Sequence, residues 1–270
     1  MPSEIRLAGV TATPLITLLA KAEESAMPDS LLRDRFAAAA IARVGEDLTH
    51  LKVGHDMTVA IAMRALLLDR WATAFLDRHS DATVLHLGCG LDARVFRVDP
   101  PPSVHWFDVD FPEVIALRQR LYPCRRNYTA IAASITETTW LSQLPTGRPA
   151  MIIAEGVLPY LGEDEVPQLL SRLVGRFPSG EIVFDAYSRL MIWMLHFNPA
   201  IRATGASLRW ALDEPAELER QVPGLKLVED RSHWSASEAA RMSPPVRIAL
   251  QILAAAPMLQ PMGRLVRYRF

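Results

Sequence analysis

Lysine is nearly missing from this chain. Only Lys21, Lys52 and Lys226 occur, so 26 of the 29 basic residues are arginine, a permanent, fork-shaped cation. Cysteine is scarcer still. Cys89 and Cys124 cannot build a disulfide framework and neither belongs to a C-x-x-C pair, so a reducing cytoplasm is the expected compartment. No uninterrupted apolar run approaches the ~18 residues of a membrane span. The nearest thing to a signal peptide, Leu7 to Ala20, follows Glu4 as well as Arg6 and is broken by Pro14, which argues against secretion. Net charge is also lacking: 29 basic against 30 acidic residues leave −1, no field to draw the chain to nucleic acid or an anionic membrane. Arg125-Arg126 and the alternating Arg267 and Arg269 are too few for a phosphate-tracking patch. The seven histidines show no HExxH and no clustered His/Cys/carboxylate set, so no metal is expected.

What is present is ordinary globular composition, half hydrophobic and 22% charged over 270 residues, enough for a substantial core and unlike disorder, collagen or coiled coil. Residues 1–80 read as helical. Thr13-Pro14 is an N-cap and first-turn proline, a second helix covers Ser30 to Val44, and a third runs from Asp56 to about Arg78 with Ala60, Met63, Leu67, Trp71 and Phe75 on one face. The period then changes. Short apolar runs at Thr83–Leu87, Val104–Val109, Tyr128–Ala132, Ala150–Ala154 and Glu181–Ala186 predict five strands. Helical stretches separate them at Asp92–Phe96, Pro112–Leu121, Thr138–Leu144 and Asp164–Phe177. That alternation is the pattern of a parallel sheet with helices on both faces. Helices at Arg189–Phe197, Pro215–Gln221 and Pro244–Ala256, and strands at Leu225–Asp230 and Arg264–Phe270, complete one α/β domain. Its parts are a helical cap (1–80), a cofactor-binding core (81–188), a lid or substrate insertion (189–216), and C-terminal helices with the last two strands (217–270).

The first strand closes on Gly88-Cys89-Gly90, two glycines where a strand hands over to a helix, which permits a sharp turn and close ligand approach. Two acids stand twenty residues beyond the glycines, Asp108 after Gly88 and Asp110 after Gly90, the separation at which a carboxylate meets ribose hydroxyls. A nucleoside-containing cofactor across the strand tips is therefore expected, the plain alternative being an incidental turn with surface acids. Two cofactor classes compete. Gly88-x-Gly90-x-x-Ala93 formally satisfies the dinucleotide fingerprint of an NAD(P)-dependent oxidoreductase. The long helical stretch before the first strand and the terminal strand favour a methyltransferase sheet.

Three motifs in order then carry a resemblance: LHLGCGLDARVFRVD, WFDVDFPEVIALRQRLYP and IAEGVLPYL. From about Thr13 to Asp185 the chain resembles the leucine carboxyl methyltransferase family, closest to the branch typified by the O-methyltransferase of tetracenomycin polyketide synthesis. The resemblance implies a class I methyltransferase, Rossmann-like, with a seven-stranded mostly parallel sheet, an antiparallel last strand, and S-adenosylmethionine as cofactor. It further implies that Gly88 and Gly90 bound the methionine end, and that Asp110 binds the ribose with Asp108 or Val109 beside it. Ser134-Ile135 stands where the family's protein carboxyl methyltransferases carry Asp-Leu near the adenine. By the same resemblance Glu155 lies close to the cofactor amino group and Arg64 pairs its carboxylate. Where those relatives have a cofactor-facing lysine before Arg-Phe-Ala, this chain has Asp34, a departure that weakens the case for a shared substrate.

Arg64 has a warrant of its own. Ala60, Ile61, Leu67 and Leu68 surround it on the helix, so its guanidinium lies against a packed face and needs a partner. A ligand carboxylate is one candidate, a protein acid or solvent another, and Arg70 has similar neighbours; the resemblance selects Arg64. His86 and His105 read as ordinary strand residues. His196 and His233 fall where this family builds its acceptor pocket, and either could deprotonate a hydroxyl, although structural roles are the plainer reading. Tyr160 is a family tyrosine that either faces the methyl group or packs. Tyr187, Met191, Trp193, Met194, Phe197 and Trp210 suit a flat apolar acceptor, or alternatively the underside of a lid helix. The expected function is an S-adenosylmethionine-dependent O-methyltransferase acting on a small-molecule carboxylate or phenol of polyketide type. The alternatives are an NAD(P)-dependent oxidoreductase and a cofactor-binding protein that transfers no methyl group.

Overall fold

The computed structural model describes residues 13–44, 51, 53–197, 207–255 and 262–270. Seven strands form one sheet: β1 (Thr83–Leu87), β2 (His105–Asp110), β3 (Tyr128–Ala132), β4 (Ala150–Ala154), β5 (Gly180–Tyr187), β6 (Lys226–Arg231) and β7 (Gly263–Arg269). Their spatial order is β3-β2-β1-β4-β5-β7-β6. The first five pair in parallel, and β7 inserts antiparallel between β5 and β6. Every residue of β1 and β4 is buried, as central parallel strands covered on both faces must be. This explains why they read as unbroken apolar runs rather than alternating ones.

Strand alternation sorts the core into two layers. Leu85, Leu87, Ile152, Ile182 and Phe184 pack with α6 (Glu165–Arg176) and α8 (Pro215–Gln221) on one face. Val84, Met151, Ile153 and Val183 meet Leu68, Trp71 and Phe75 of α3 (His55–Leu76) on the other, beside α4 (Arg94–Val98). A smaller cluster joins α1 (Thr13–Ser25), α2 (Arg35–Arg43) and α5 (Pro112–Leu121). The connection after β5 opens with α7 (Arg189–Leu195); α9 (Ala236–Ala239) and α10 (Pro244–Ala255) fill the one between β6 and β7.

Two local expectations shift for identifiable reasons. The second helix begins at Arg35 rather than Ser30, because Asp34 is its N-cap and accepts from the N–H groups of Phe36 (3.0 Å) and Ala37 (2.9 Å). Buried Glu24 holds the preceding stretch open, accepting from the Ser30 hydroxyl (2.9 Å) and the N–H groups of Leu31 (2.5 Å) and Leu32 (3.2 Å). The stretch Thr138–Leu144 closes as a tighter 3-10 turn, Thr139–Gln143. Among the described residues no helix is long and apolar enough to cross a membrane.

The chain runs from β1 outward to β3 and then returns to place β4 on the other side of β1. The carboxyl ends of β1 and β4 therefore flank a topological switch point, where open α/β sheets bind their ligands.

Candidate active site

A cavity of about 1180 Å³ opens at that switch point, over the turn after β1. Gly88 and Gly90 both adopt left-handed backbone, φ +57° and +50°. A Cβ on Gly88 would lie 2.4 Å from Val157 Cγ2, so no other residue fits there without moving the wall. The Gly90 N–H donates to Asp110 Oδ2 at 2.7 Å, and the Phe111 N–H donates to Oδ1 at 2.7 Å. Asp110 thus sits fixed at the tip of β2 against the glycine turn, on the cavity wall. Burial raises its pKa against the pull of these two hydrogen bonds. A carboxylate offers about four acceptor positions, so roughly two remain for ligand hydroxyls. Ser134 and Ile135 line the same end of the cavity, the Ser134 hydroxyl 2.9 Å from that of Thr136.

Asp108 and Val109, expected beside the ribose, do not line the cavity. Val109 is packed in the core, and only its carbonyl touches the turn, accepting from the Gly88 N–H at 2.8 Å. Asp108 is wholly buried beneath α5, where it pairs with the buried Arg118. It also accepts from Trp106 Nε1 (2.8 Å) and the Tyr128 hydroxyl (2.7 Å). Burial opposes its charge most strongly, but Arg118, His86 and the Tyr128 hydroxyl together outweigh it and hold the pKa at about 2. Arg118 in turn donates to the carbonyls of Gly90 (2.9 Å) and Asp92 (2.8 Å), so this pair braces the glycine turn from behind.

Charge concentrates at the methionine end expected for the cofactor. Glu155, just past β4, meets three cations: Lys21 at 3.2 Å, Arg64 at 3.2 Å and Arg94 in a close contact. Burial alone would raise its pKa; the three cations outweigh that and hold it well below the usual carboxylate range. Arg64 donates from Nε to Glu155 (3.2 Å) and from Nη1 to Asp185 Oδ2 (2.9 Å), so of the partners open to it in the sequence, two protein acids are present. A guanidinium carries five N–H groups; with Nη2 also 3.2 Å from Glu155, at least two stay free, and the side chain keeps 17% exposure on the cavity wall. Burial opposes the Arg64 charge, but Asp185 and Glu155 raise its pKa.

Asp34 does not face the cavity: beyond its capping role it pairs with Arg97 at 2.5 Å. A lysine nevertheless reaches the site. Lys21 extends from α1, 2% exposed, to Asp92 (2.9 Å) and Glu155. The sequence reading missed Lys21, Asp92, Arg94 and Asp185. The one available signal was scarcity, Lys21 being one of three lysines in an arginine-rich chain. His86 touches this cluster from beneath, its Nε2 2.9 Å from Arg94 Nη1. Burial first, then Arg94, lowers its pKa, so it is neutral and accepts that bond.

Beyond Arg64 the wall turns apolar. Met57, Ile61, Val157, Tyr187, Met191 and Leu250 line it with Tyr160, His233 and Trp234. Burial raises the pKa values of both tyrosines, Tyr187 to about 12, so each presents a protonated hydroxyl at neutral pH. His233 lies on the wall with Nδ1 2.9 Å from the Ser232 hydroxyl. His196 does not reach the cavity: it is exposed at the end of α7, its Nδ1 2.8 Å from the Ile192 carbonyl. The aromatic insertion divides likewise. Tyr187 and Met191 line the cavity, Trp193, Met194 and Phe197 are exposed, and Trp210 is buried against Phe184.

A sequence model of the family described as leucine carboxyl methyltransferase matches residues 14–174. The chain belongs to the leucine carboxyl methyltransferase family. The tetracenomycin polyketide synthesis O-methyltransferase TcmP of Streptomyces glaucescens is 40% identical over all of both chains. The S-adenosyl-L-methionine-dependent methyltransferase dpfgK of Gibberella zeae is 34% identical over 84% of this chain and 83% of its own. Magnesium protoporphyrin IX methyltransferase from Synechocystis PCC 6803, at 11% identity, shares the fold with a TM-score of 0.51, covering 87% of this chain and 95% of its own. This family member is an S-adenosylmethionine-dependent methyltransferase on a class I fold, which does not favour the nicotinamide reading. The residues present fit the cofactor. The glycine turn puts bare main chain on the cavity wall, Asp110 offers free acceptor positions, and Arg64 offers unused donors beside buried acids for a zwitterion.

Proposed function

We propose that this methyltransferase acts on an oxygen of a small, flat, largely apolar acceptor, a carboxylate or phenol of polyketide type. The observation that carries the reading is the continuity of the cavity: one space runs from the glycine turn past Arg64 and Tyr160 into the apolar lobe under α7 and α10. The cofactor, when bound, supplies an activated sulfonium methyl. Asp110 and Arg64 hold and orient it, while Met57, Ile61 and Leu250 exclude water from the acceptor side. Positioning of this kind can lower a barrier by about 7–11 kcal/mol.

Little acid-base chemistry is asked of the protein. A carboxylate acceptor is already ionised at neutral pH, and the Tyr160 and Tyr187 hydroxyls, being protonated, can donate to its second oxygen. A phenol acceptor needs its proton removed, and His233 is the wall residue that can take it, oriented through Ser232. The TcmP name supports the polyketide part of this reading. Neither nucleic acid nor membrane enters it, in keeping with a net charge of −1, and two free cysteines suit a cytoplasmic setting. The test is incubation with labelled S-adenosylmethionine and a panel of aromatic carboxylic acids and phenols, followed by product mass. One added methyl on oxygen is expected. Methylation confined to nitrogen or carbon, or no transfer to any acceptor, would overturn the proposal.

A further inference from the structure

We infer that Asp185 is a positioning residue: it sets the orientation of Arg64 so that the unused guanidinium donors face the cofactor's carboxylate. The inference rests on the reading of Arg64 as a cofactor-binding residue. Asp185 lies near the carboxyl end of β5, within its buried part, and is 3% exposed. Its Oδ1 accepts from the Gly156 N–H at 2.5 Å, which fixes the carboxylate to the turn after β4. Oδ2 is thereby aimed at Arg64 Nη1, 2.9 Å away. The acid is held by backbone from one strand while rooted in the next, and the long arginine is the member that must conform.

Glu155 cannot do this alone, because Lys21, Arg64 and Arg94 share its carboxylate. The turn itself is shaped for the arrangement. Gly156 has φ +64°, and a Cβ there would lie 3.4 Å from Arg64 Nη2, so the guanidinium rests against the bare glycine. Anchored carboxylate, left-handed glycine and guanidinium therefore form one unit contributed by β5, the β4 turn and α3.

Asp185→Asn is close in shape but replaces one acceptor oxygen by a donor NH2. If the amide oxygen keeps the Gly156 bond, the NH2 faces Arg64 and releases it. Calorimetric titration with S-adenosylhomocysteine is the assay, on wild type, Asp185→Asn, Arg64→Met and the double variant. Each single substitution should weaken binding about tenfold or more, with Asp185→Asn adding less than about twofold once Arg64 is gone. Gly156→Ala disturbs the same contact from the turn, and its loss should likewise vanish in the Arg64→Met background; it serves if Asp185→Asn does not fold. Additive losses, or an Asp185→Asn variant that lowers Tm without changing affinity, would overturn the inference while leaving Arg64 in the cofactor site. Unchanged affinity in Arg64→Met would remove both.

Discussion

Asp108→Asn separates a brace from a binding group. The substitution keeps the shape of the side chain but removes the charge that faces Arg118, whose side chain is 1% exposed. It also puts an amide where the Trp106 and Tyr128 donors and the guanidinium converge. Two routes give the magnitude. Lowering the carboxyl pKa from 3.8 to about 2 corresponds to about 2 kcal/mol of stability. Breaking a buried ion pair on one side costs ~3–5 kcal/mol, because the remaining charge is uncompensated. At ~2–4 °C per kcal/mol for a chain near this size, Tm should fall by roughly 5–20 °C. A carboxyl whose pKa is depressed on folding contributes its stability above the unfolded value of 3.8 and loses it as pH falls toward about 2. The gap between wild type and variant in urea unfolding should therefore be full at pH 7 and shrink across that acid window. Affinity for S-adenosylhomocysteine, measured where both proteins are folded, should change less than about threefold. An unchanged Tm with abolished cofactor binding would refute the assignment and return Asp108 to the ribose.

Asp110→Ala should do the reverse, weakening S-adenosylhomocysteine binding at least about tenfold, a loss of ~1.4 kcal/mol, without lowering Tm appreciably. Because burial raises the Asp110 pKa, wild-type affinity should begin to fall on acidification at a higher pH than an ordinary aspartate would give, and calorimetry on Asp110→Ala should lack that step. His233→Gln should leave kcat/KM for a carboxylate acceptor within about threefold and reduce it ~10²-fold or more for a phenol at neutral pH; equal losses for both would make His233 structural.

The sheet was legible in the sequence because its central strands are covered on both faces, and the five parallel runs closed on recognisable turns. Pro112 likewise announced α5, whose observed bounds match the reading. The start of α2 was harder: local signals at Ser30 competed with a buried glutamate that ties the N–H groups of Leu31 and Leu32 into a turn outside the helix. Alternation could not separate Asp108 from Asp110, since residues two apart on a strand share a side. What distinguishes them is Arg118, an α5 residue that reaches under the sheet to one acid and not the other. The same limit hid Lys21 and Asp185. Each is charged within an apolar stretch, and its partners stand on different elements remote in sequence, so no periodicity marks them. His196 and His233 looked equivalent from their position after β5, and only the path of the chain puts one on the cavity wall and the other on the outer end of α7.

The most direct measurement is calorimetric titration of the intact chain with S-adenosylhomocysteine and, separately, with NADPH, in wild type and Asp110→Ala. A cavity built as described binds S-adenosylhomocysteine saturably at one site, loses that affinity on removal of the Asp110 carboxylate, and gives no heat of binding with NADPH. Binding of NADPH without S-adenosylhomocysteine, or an affinity indifferent to Asp110, would contradict the account.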